Sequence, residues 1–394
     1  MRLRSSSIYY ALFLSVIIGF LLGGMILFSG VNKQFESQID LQDRLLNNAY
    51  SGIEYGLANY IEINNETVEL QLFEEGIDSV RVSKDKWGAY DVICSYAHHG
   101  KYKISKAALS GHLRKTGTPN LYLSDKGRSL SICGKTKLEG ECLIPKAGIE
   151  RAYIEGQNYQ GNQLVYGNKG QSGKSIPALN RHFISSLFPS NGRIEKWGNP
   201  DSVLCSFSNE SIHFVNDHFI SLSTNVLKGQ VFLETRDSIF IGTNAQLDQI
   251  ILKGRVVYVQ SGFKGNLQIY ATERIVLEEN VQLYYPSVLG IVEEEFPEVN
   301  NSELIVRSGS QVVGSVFAIS EYPNFRKPVQ ITIEEDAQVD GLIYNQGRTQ
   351  LKGMVNGSLF TEKFFLEMNS SKYENHLLNA TIKNDLPKDF VFIP

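Results

Sequence analysis

The hydrophobic pattern changes character twice along this chain. Residues Ile8 to Phe28 form an apolar run without a charge, close to the roughly 20 residues that a helix needs to cross a hydrocarbon core. Beyond it, Val31, Phe35, Ile39, Leu41, Leu45, Leu46, Ala49, Ile53, Leu57 and Ile61 recur mostly at steps of three or four, the period of one helix face. The pattern predicts a transmembrane helix over 8–28 that continues as an amphipathic stem over 29–62, after a short N-terminus, 1–7. Such a stem must bury its apolar stripe, against its own head or against neighbouring copies. Leu45, Leu46, Ala49, Gly52, Ile53, Gly56 and Leu57 are the candidates for that packing.

From Ser79 to Gly111 the texture becomes alternating and β-branched, with Val80 and Val82, then Tyr90 to Ser95, then Tyr102 to Ser105. A small antiparallel meander within 63–118 fits this. Its expected turns are Lys86-Trp87-Gly88 and His98-His99-Gly100, which makes both histidines turn residues rather than a metal pair.

The remainder carries an internal repeat. Arg236–Lys253, Gly254–Ala271 and Thr272–Leu289 align as consecutive blocks of 18 residues in which Ile239, Val257 and Ile275 coincide. Ile241, Val259 and Leu277 also coincide, as do Ala245, Phe263 and Val281. A second register superposes Val312-Val313-Gly314-Ser315-Val316, Val339-Asp340-Gly341-Leu342-Ile343 and Val355-Asn356-Gly357-Ser358-Leu359. Blocks this short, punctuated by Gly or Asn, have no room for a βα unit. They predict a mainly β chain whose ectodomain is a right-handed parallel β-helix, with like residues stacked on successive coils and glycines at the corners. The expected solenoid spans 119–368, with insertions near 178–217 and 286–302 and a cap or tail at 369–394.

Charge and composition narrow the function. A net charge of -4 and a pI near 6.0 offer no clustered basic surface, so nucleic acid is not an expected partner. Arg2 and Arg4 precede the apolar run, which favours a cytoplasmic N-terminus and an outward-facing remainder. The run exceeds a signal-peptide core and no small-x-small cleavage site follows it, so a retained anchor in a bacterial inner membrane is expected over a cleaved leader. Cys94, Cys133, Cys142 and Cys205 follow no zinc spacing. Cys133 and Cys142 are close enough for a disulfide outside the cytoplasm, or both are buried free thiols.

No P-loop, HExxH, GxSxG or Ser-His-Asp order is present. No cofactor, metal site or catalytic residue is expected. His213 and His218 read as structural, Glu334-Glu335-Asp336 as adjacent residues on opposite faces, and Glu293 to Glu298 as a solvated loop. Asn-x-Ser/Thr triplets at Asn65, Asn209, Asn300, Asn356, Asn369 and Asn379 read as turn-rich texture unless a host modifies them.

Two resemblances add to this. The segment Leu45-Leu46-Asn47-Asn48-Ala49-Tyr50-Ser51-Gly52-Ile53-Glu54-Tyr55-Gly56-Leu57-Ala58 resembles the stem of PilX-type minor pilins of type IV pili and of the minor pseudopilins of type II secretion. That resemblance implies a membrane helix running into a stem, a small β-sheet head and assembly with other stems. No Gly before Phe or Met, with a Glu five residues on, precedes Ile8. The Val-x-Gly-x-aliphatic elements of the C-terminal half look similar to bactofilin β-helices, which implies end-to-end polymerisation without nucleotide. The leading expectation is a non-enzymatic, pilin-like envelope subunit with protein partners. A polysaccharide-active or glycan-binding protein and a bactofilin-like scaffold are the alternatives.

Overall fold

The computed structural model describes residues 5–59, 67–71, 78–113, 117–179, 182–189, 192–293, 302–320, 329–368, 371–388 and 390–392. The fold is mainly β with one long N-terminal helix. Two compact units divide it: Met1–Lys84 with Ile93–Ala108, and Asp85–Val92 with Leu109–Pro394.

In the first unit, one helix of 54 residues runs unbroken over Ser5–Ala58, a length of about 80 Å. Its upper part is apolar and bare: Phe20 is 79% exposed and Ile26 73%. Ser15 satisfies its hydroxyl by donating to the Leu12 carbonyl at 2.8 Å, so it adds no unpaired polar group to the apolar run. The C-terminal part packs on a four-stranded sheet ordered Val68–Leu70, Ser79–Trp87, Tyr90–His99, Tyr102–Ser110. Two-residue connections at Gly88–Ala89 and Gly100–Lys101 join the last three strands, which makes them antiparallel neighbours. The strands therefore run further than expected. Lys86 and Trp87 lie in strand rather than turn, as do His98 and His99.

Gly52 and Gly56 set the distance between helix and sheet. A Cβ at Gly52 would sit 2.1 Å from Ser95 Oγ, and one at Gly56 2.6 Å from Ile93 Cγ2. Around them Leu45, Ala49, Val80, Val82, Ile93 and Ala97 form a closed core.

The second unit is a closed parallel sheet. Each strand pairs with the one a repeat later, and the register is the one the repeats predict. Ile239 faces Val257 and Val257 faces Ile275. In the second register Val312, Val339 and Val355 are aligned, as are Gly314, Gly341 and Gly357. One inward column runs Phe214, Leu233, Leu252, Ile269, Leu289, Val316, Ile343, Leu359 and Leu121, each paired with the next. All of these are buried.

That column's last member shows that layers do not stack in chain order throughout. Layers from Arg193 to Lys383 follow one another, but the earlier residues 121–171 come after them. Leu359 pairs with Leu121, Thr381 with Lys137 and His376 with Ser131. The chain takes up the sheet again at the other end with Arg193. The insertion expected at 178–217 is thus shorter and placed earlier, because Arg193–Lys196, Ser202–Cys205 and Ile212–Asn216 already belong to the sheet. The strand Gln282–Glu293 likewise runs through Pro286, with a register shift between Leu283 and Ser287. Residues 294–301 of the insertion expected at 286–302, including Glu294, Glu295 and Glu298, lie outside the described residues.

Both ends of the inward column are polar. Glu195 faces Phe214 at one end, where it pairs with Arg193 at 2.6 Å. At the other end Leu121 is followed by Cys142 and then Lys169. Trp197 covers the first end, its ring 5.3 Å from that of Phe214. Charge on an edge strand blocks pairing with a further strand.

Two expected outcomes follow from this packing. A Cβ on Gly341, whose φ is +145°, would lie 1.8 Å from the Gly314 carbonyl oxygen. Gly341→Ala should therefore destabilise the sheet by more than about 2 kcal/mol, since backbone cannot yield as a side chain does; urea unfolding followed by circular dichroism measures it. Replacing Arg193 and Glu195 together by Leu should shift the purified protein toward larger species on size exclusion, and an unchanged elution would mean that these charges do not guard the end.

Candidate functional site

Three surfaces are candidates, and of these the sequence singles out the stem. The first is the stem. Leu45, Ala49, Gly52 and Gly56 are buried against the unit's own sheet, Leu46 and Ile53 are half-buried, and Leu57 is 49% exposed. The stem face is therefore split: one stripe is spent on the head, while Val31, Phe35, Ile39, Tyr50 and Leu57 remain exposed. Asp78 pins the covered side, accepting from Arg44 Nε at 2.9 Å and Asn48 Nδ2 at 3.0 Å. His99 Nδ1 lies 2.8 Å from the same carboxylate, whereas His98 contacts Ser79 Oγ. The two histidines thus serve separate structural contacts.

The second surface is an outward column of rings on the closed sheet. Tyr270, Gly290, Phe317, Tyr344, Phe360 and Tyr122 follow one another in register. Residues 172–179 and 182–189 lie along it. Tyr122 OH donates to the Ser175 carbonyl at 3.0 Å and Tyr344 OH to the Pro177 carbonyl at 2.9 Å. Phe183 meets Phe317 edge-on at 5.5 Å, and Phe188 meets Tyr270 edge-on at 5.4 Å. The return segment thus seals the column, and burial pushes the Tyr270 and Tyr344 hydroxyls above their ordinary pKa.

The hairpin tip Asp85–Val92 occupies the neighbouring column. The Trp87 indole donates to the Gln249 carbonyl at 2.8 Å. The Gln268 amide donates to the Trp87 carbonyl and accepts from the Ala89 N–H, both at 2.8 Å.

At the column's first end Glu234 lies between His213 Nε2, at 3.1 Å, and Lys253 Nζ, at 2.7 Å. His213 also stacks on Phe232 at 4.3 Å. His213 is in a strand, and the His218 carbonyl accepts from Thr235 Oγ1, so these two histidines are not brought together.

The third surface is a polar groove of about 630 Å³ lined by Lys135, Gln157, Gln160, Glu335, Lys352 and Asn379 among others. Its floor is made of corner turns from consecutive layers, tied by Met354 N donating to the Ala337 carbonyl, Thr381 N to Gly353, and Lys137 N to Ala380. Its overhang is the hairpin Tyr153–Ile154 and Gln157–Asn158. Beside it, the buried Asp340 accepts from Gln311, Gln338 and Asn356 at 2.6, 2.7 and 3.0 Å. This amide array was not singled out from the sequence. Its signal is the recurrence of Gln at 311 and 338 and of Asp and Asn at 340 and 356, positions that the second repeat register superposes.

All four cysteines are free and buried, so the disulfide between Cys133 and Cys142 is not made. Cys133 Sγ donates to the Leu377 carbonyl at 3.2 Å, whereas Cys142 pairs with Leu121 and Lys169 in the layer beyond. Burial raises their thiols to about 11 and about 12, which makes them poor nucleophiles. Among the described residues no group of three His, Cys, Asp or Glu converges as metal ligands. Asn356 and Asn379 are structural, the latter accepting from the Lys135 N–H at 2.9 Å. Asn65, Asn300 and Asn369 lie outside the described residues.

No protein family, curated protein or solved structure matches this chain. The N-terminal helix is long and apolar enough for a single membrane span or a signal anchor, with a mean hydropathy of 2.6 and no burial in its most apolar window.

Burial would raise the pKa of Glu234, but the Lys253 hydrogen bond and charge, followed by His213, outweigh it and hold the carboxyl below its ordinary value. A carboxyl depressed on folding contributes stability that is complete above its unfolded pKa, near about 4.3, and lost as pH falls through the folded value. Melting temperature should therefore drop more steeply between about pH 5 and 3 in the wild type than in Glu234→Gln. Equal slopes in thermal melts would assign the acid sensitivity elsewhere.

Proposed function

We propose that this chain is a non-enzymatic, membrane-anchored structural protein of the bacterial cell envelope, built like a minor pilin or pseudopilin and displaying a right-handed parallel β-helix. The observation that carries this reading is the single unbroken helix. Its first half presents apolar side chains on every side, and its second half packs on a four-stranded sheet. An all-round apolar helix is stable only in lipid or among other apolar helices. Arg2 and Arg4 before the run favour a cytoplasmic N-terminus and an inner-membrane anchor, with the rest outside.

Support for the β-helix comes from the in-register aliphatic column, the aligned glycines and the 18-residue offset between paired strands. The polar residues at both ends of that column weigh against a bactofilin-like polymer, which would need apolar, pairable end layers. Display on an assembled stem is the reading that leaves those ends unused.

Beyond the bilayer the exposed stripe Val31, Phe35, Ile39 continues the apolar surface toward the head. Neighbouring stems anchored in the same membrane are the partners that fit it. Single cysteines at Phe35, Ile39 and, as a control on the opposite helix face, Ser37, alkylated with a benzophenone maleimide and photolysed in native membranes, test this. Phe35→Cys and Ile39→Cys should give covalent adducts to another anchored protein, identifiable by mass spectrometry, while Ser37→Cys gives few. Equal or absent cross-linking at all three would refute stem assembly.

A further inference from the structure

We propose that the corner groove between the hairpin 153–158 and the turns at 335–337, 352–353 and 379–380 binds an extended, uncharged oligosaccharide. This goes beyond the structural role and does not depend on it.

The shape of the groove sets the form of the ligand. Its floor crosses successive layers, because the corners at Ala337, Gly353, Ala380 and Thr136 are joined in that order by backbone hydrogen bonds. Parallel strands stand about 4.8 Å apart, so four corners extend about 15 Å. A chain of about three sugar rings spans that length. Close corner packing keeps the floor low: a Cβ at Gly353 would lie 2.2 Å from the Ala337 carbonyl oxygen. The overhang is held in place, with Gln160 N donating to the Gly134 carbonyl at 2.9 Å and Asn379 Nδ2 to Gln157 Oε1 at 3.4 Å.

The lining sets the chemistry. Lys135 and Lys352 are balanced by Glu335 and Asp336, and the other polar walls are the amides of Gln157, Gln160 and Asn379. Among the described residues, the side chains of Lys135, Gln160, Glu335 and Lys352 make no hydrogen bond or ion pair, although the groove holds both signs of charge. Their hydrogen-bonding capacity is left for a ligand or for water.

An anion would call for charge of one sign, and a peptide for apolar pockets or an open strand edge. Mixed donors and acceptors on both walls, with no net charge, match the alternating donor and acceptor character of sugar hydroxyls. A carboxylate or amide can also grip two neighbouring hydroxyls at once.

The test uses full-length protein in detergent, titrated by calorimetry with chitotetraose, cellotetraose and maltotetraose, and with inorganic phosphate and a sulfated disaccharide as charged controls. At least one neutral tetramer should bind saturably, with an affinity that changes less than about twofold over a tenfold change in salt, as expected for uncharged hydrogen bonding. Gln160→Ala combined with Lys352→Ala should weaken it by about tenfold, the scale of one or two hydrogen bonds. These side chains make no hydrogen bond or ion pair among the described residues, and an unchanged melting temperature verifies the fold; Glu335→Gln provides a second, isosteric variant expected to weaken binding less. The proposal is overturned if no neutral tetramer binds, if only the charged controls bind, or if the double variant binds as the wild type does.

Discussion

The closed parallel sheet depends on one constraint, the registration of inward aliphatic side chains from layer to layer. Phe214, Leu233, Leu252, Ile269, Leu289, Val316, Ile343, Leu359 and Leu121 form one such column, and burying each contributes about 1.5–3 kcal/mol. The many exposed ion pairs, such as Arg236 with Asp217 at 3.7 Å, contribute about 0–1 kcal/mol each. Packing therefore decides the register, and surface charge only follows it. A slip of one residue would turn a whole strand inside out. Excursions between strands are free to vary, because the constraint acts only where strands face one another. Ile275 is thus followed in its column by Leu304 and then Ile331, although the blocks before it step by 18 residues.

The same constraint explains what the ends must do. An aliphatic column that simply stopped would leave an apolar layer with an unpaired edge. Here Glu195 stands at one end and, beyond Cys142, Lys169 at the other, and Trp197 closes the first opening. Charge at these positions costs little because the end layers remain hydrated, and it removes the template for adding another layer. Stacking residues 121–171 out of chain order then requires a return segment the length of the intervening layers. That segment is not idle. Phe183 and Phe188 cover rings that would otherwise form a long exposed aromatic strip on the outer face.

This accounts for what could and could not be read from the sequence. Repeats aligned without gaps, as at Ile239, Val257 and Ile275, identify true neighbours, because identical environments select similar residues. The order of layers is illegible by the same logic. Leu121 would look equally suitable beside any aliphatic position, and only the whole fold sets it next to Leu359. The stem poses a related ambiguity, since periodicity reveals apolar positions without saying which stripe is covered. Gly52 and Gly56 were the clue, because only a close approach such as theirs to Ser95 and Ile93 excludes a Cβ. The cysteines left two readings open, and the structure has them as buried free thiols. Nearness in sequence between Cys133 and Cys142 means little where nine residues span a corner and a change of layer.

Surfaces available for recognition are what packing leaves over. The column ends are charged, one outer column is sealed by the return segment, and the next receives the hairpin tip. The corners remain, and corners are where side chains are least constrained by stacking. Inward positions must be aliphatic, and ladder positions must match their neighbours, as Asp340 does with Asn356 in the next layer. A turn residue such as Glu335 or Lys352 answers to neither demand. A groove built from such turns can acquire recognition chemistry without disturbing the aliphatic column beneath it. A scaffold whose stability resides in its interior and whose variation resides at its corners is well suited to carrying a binding surface.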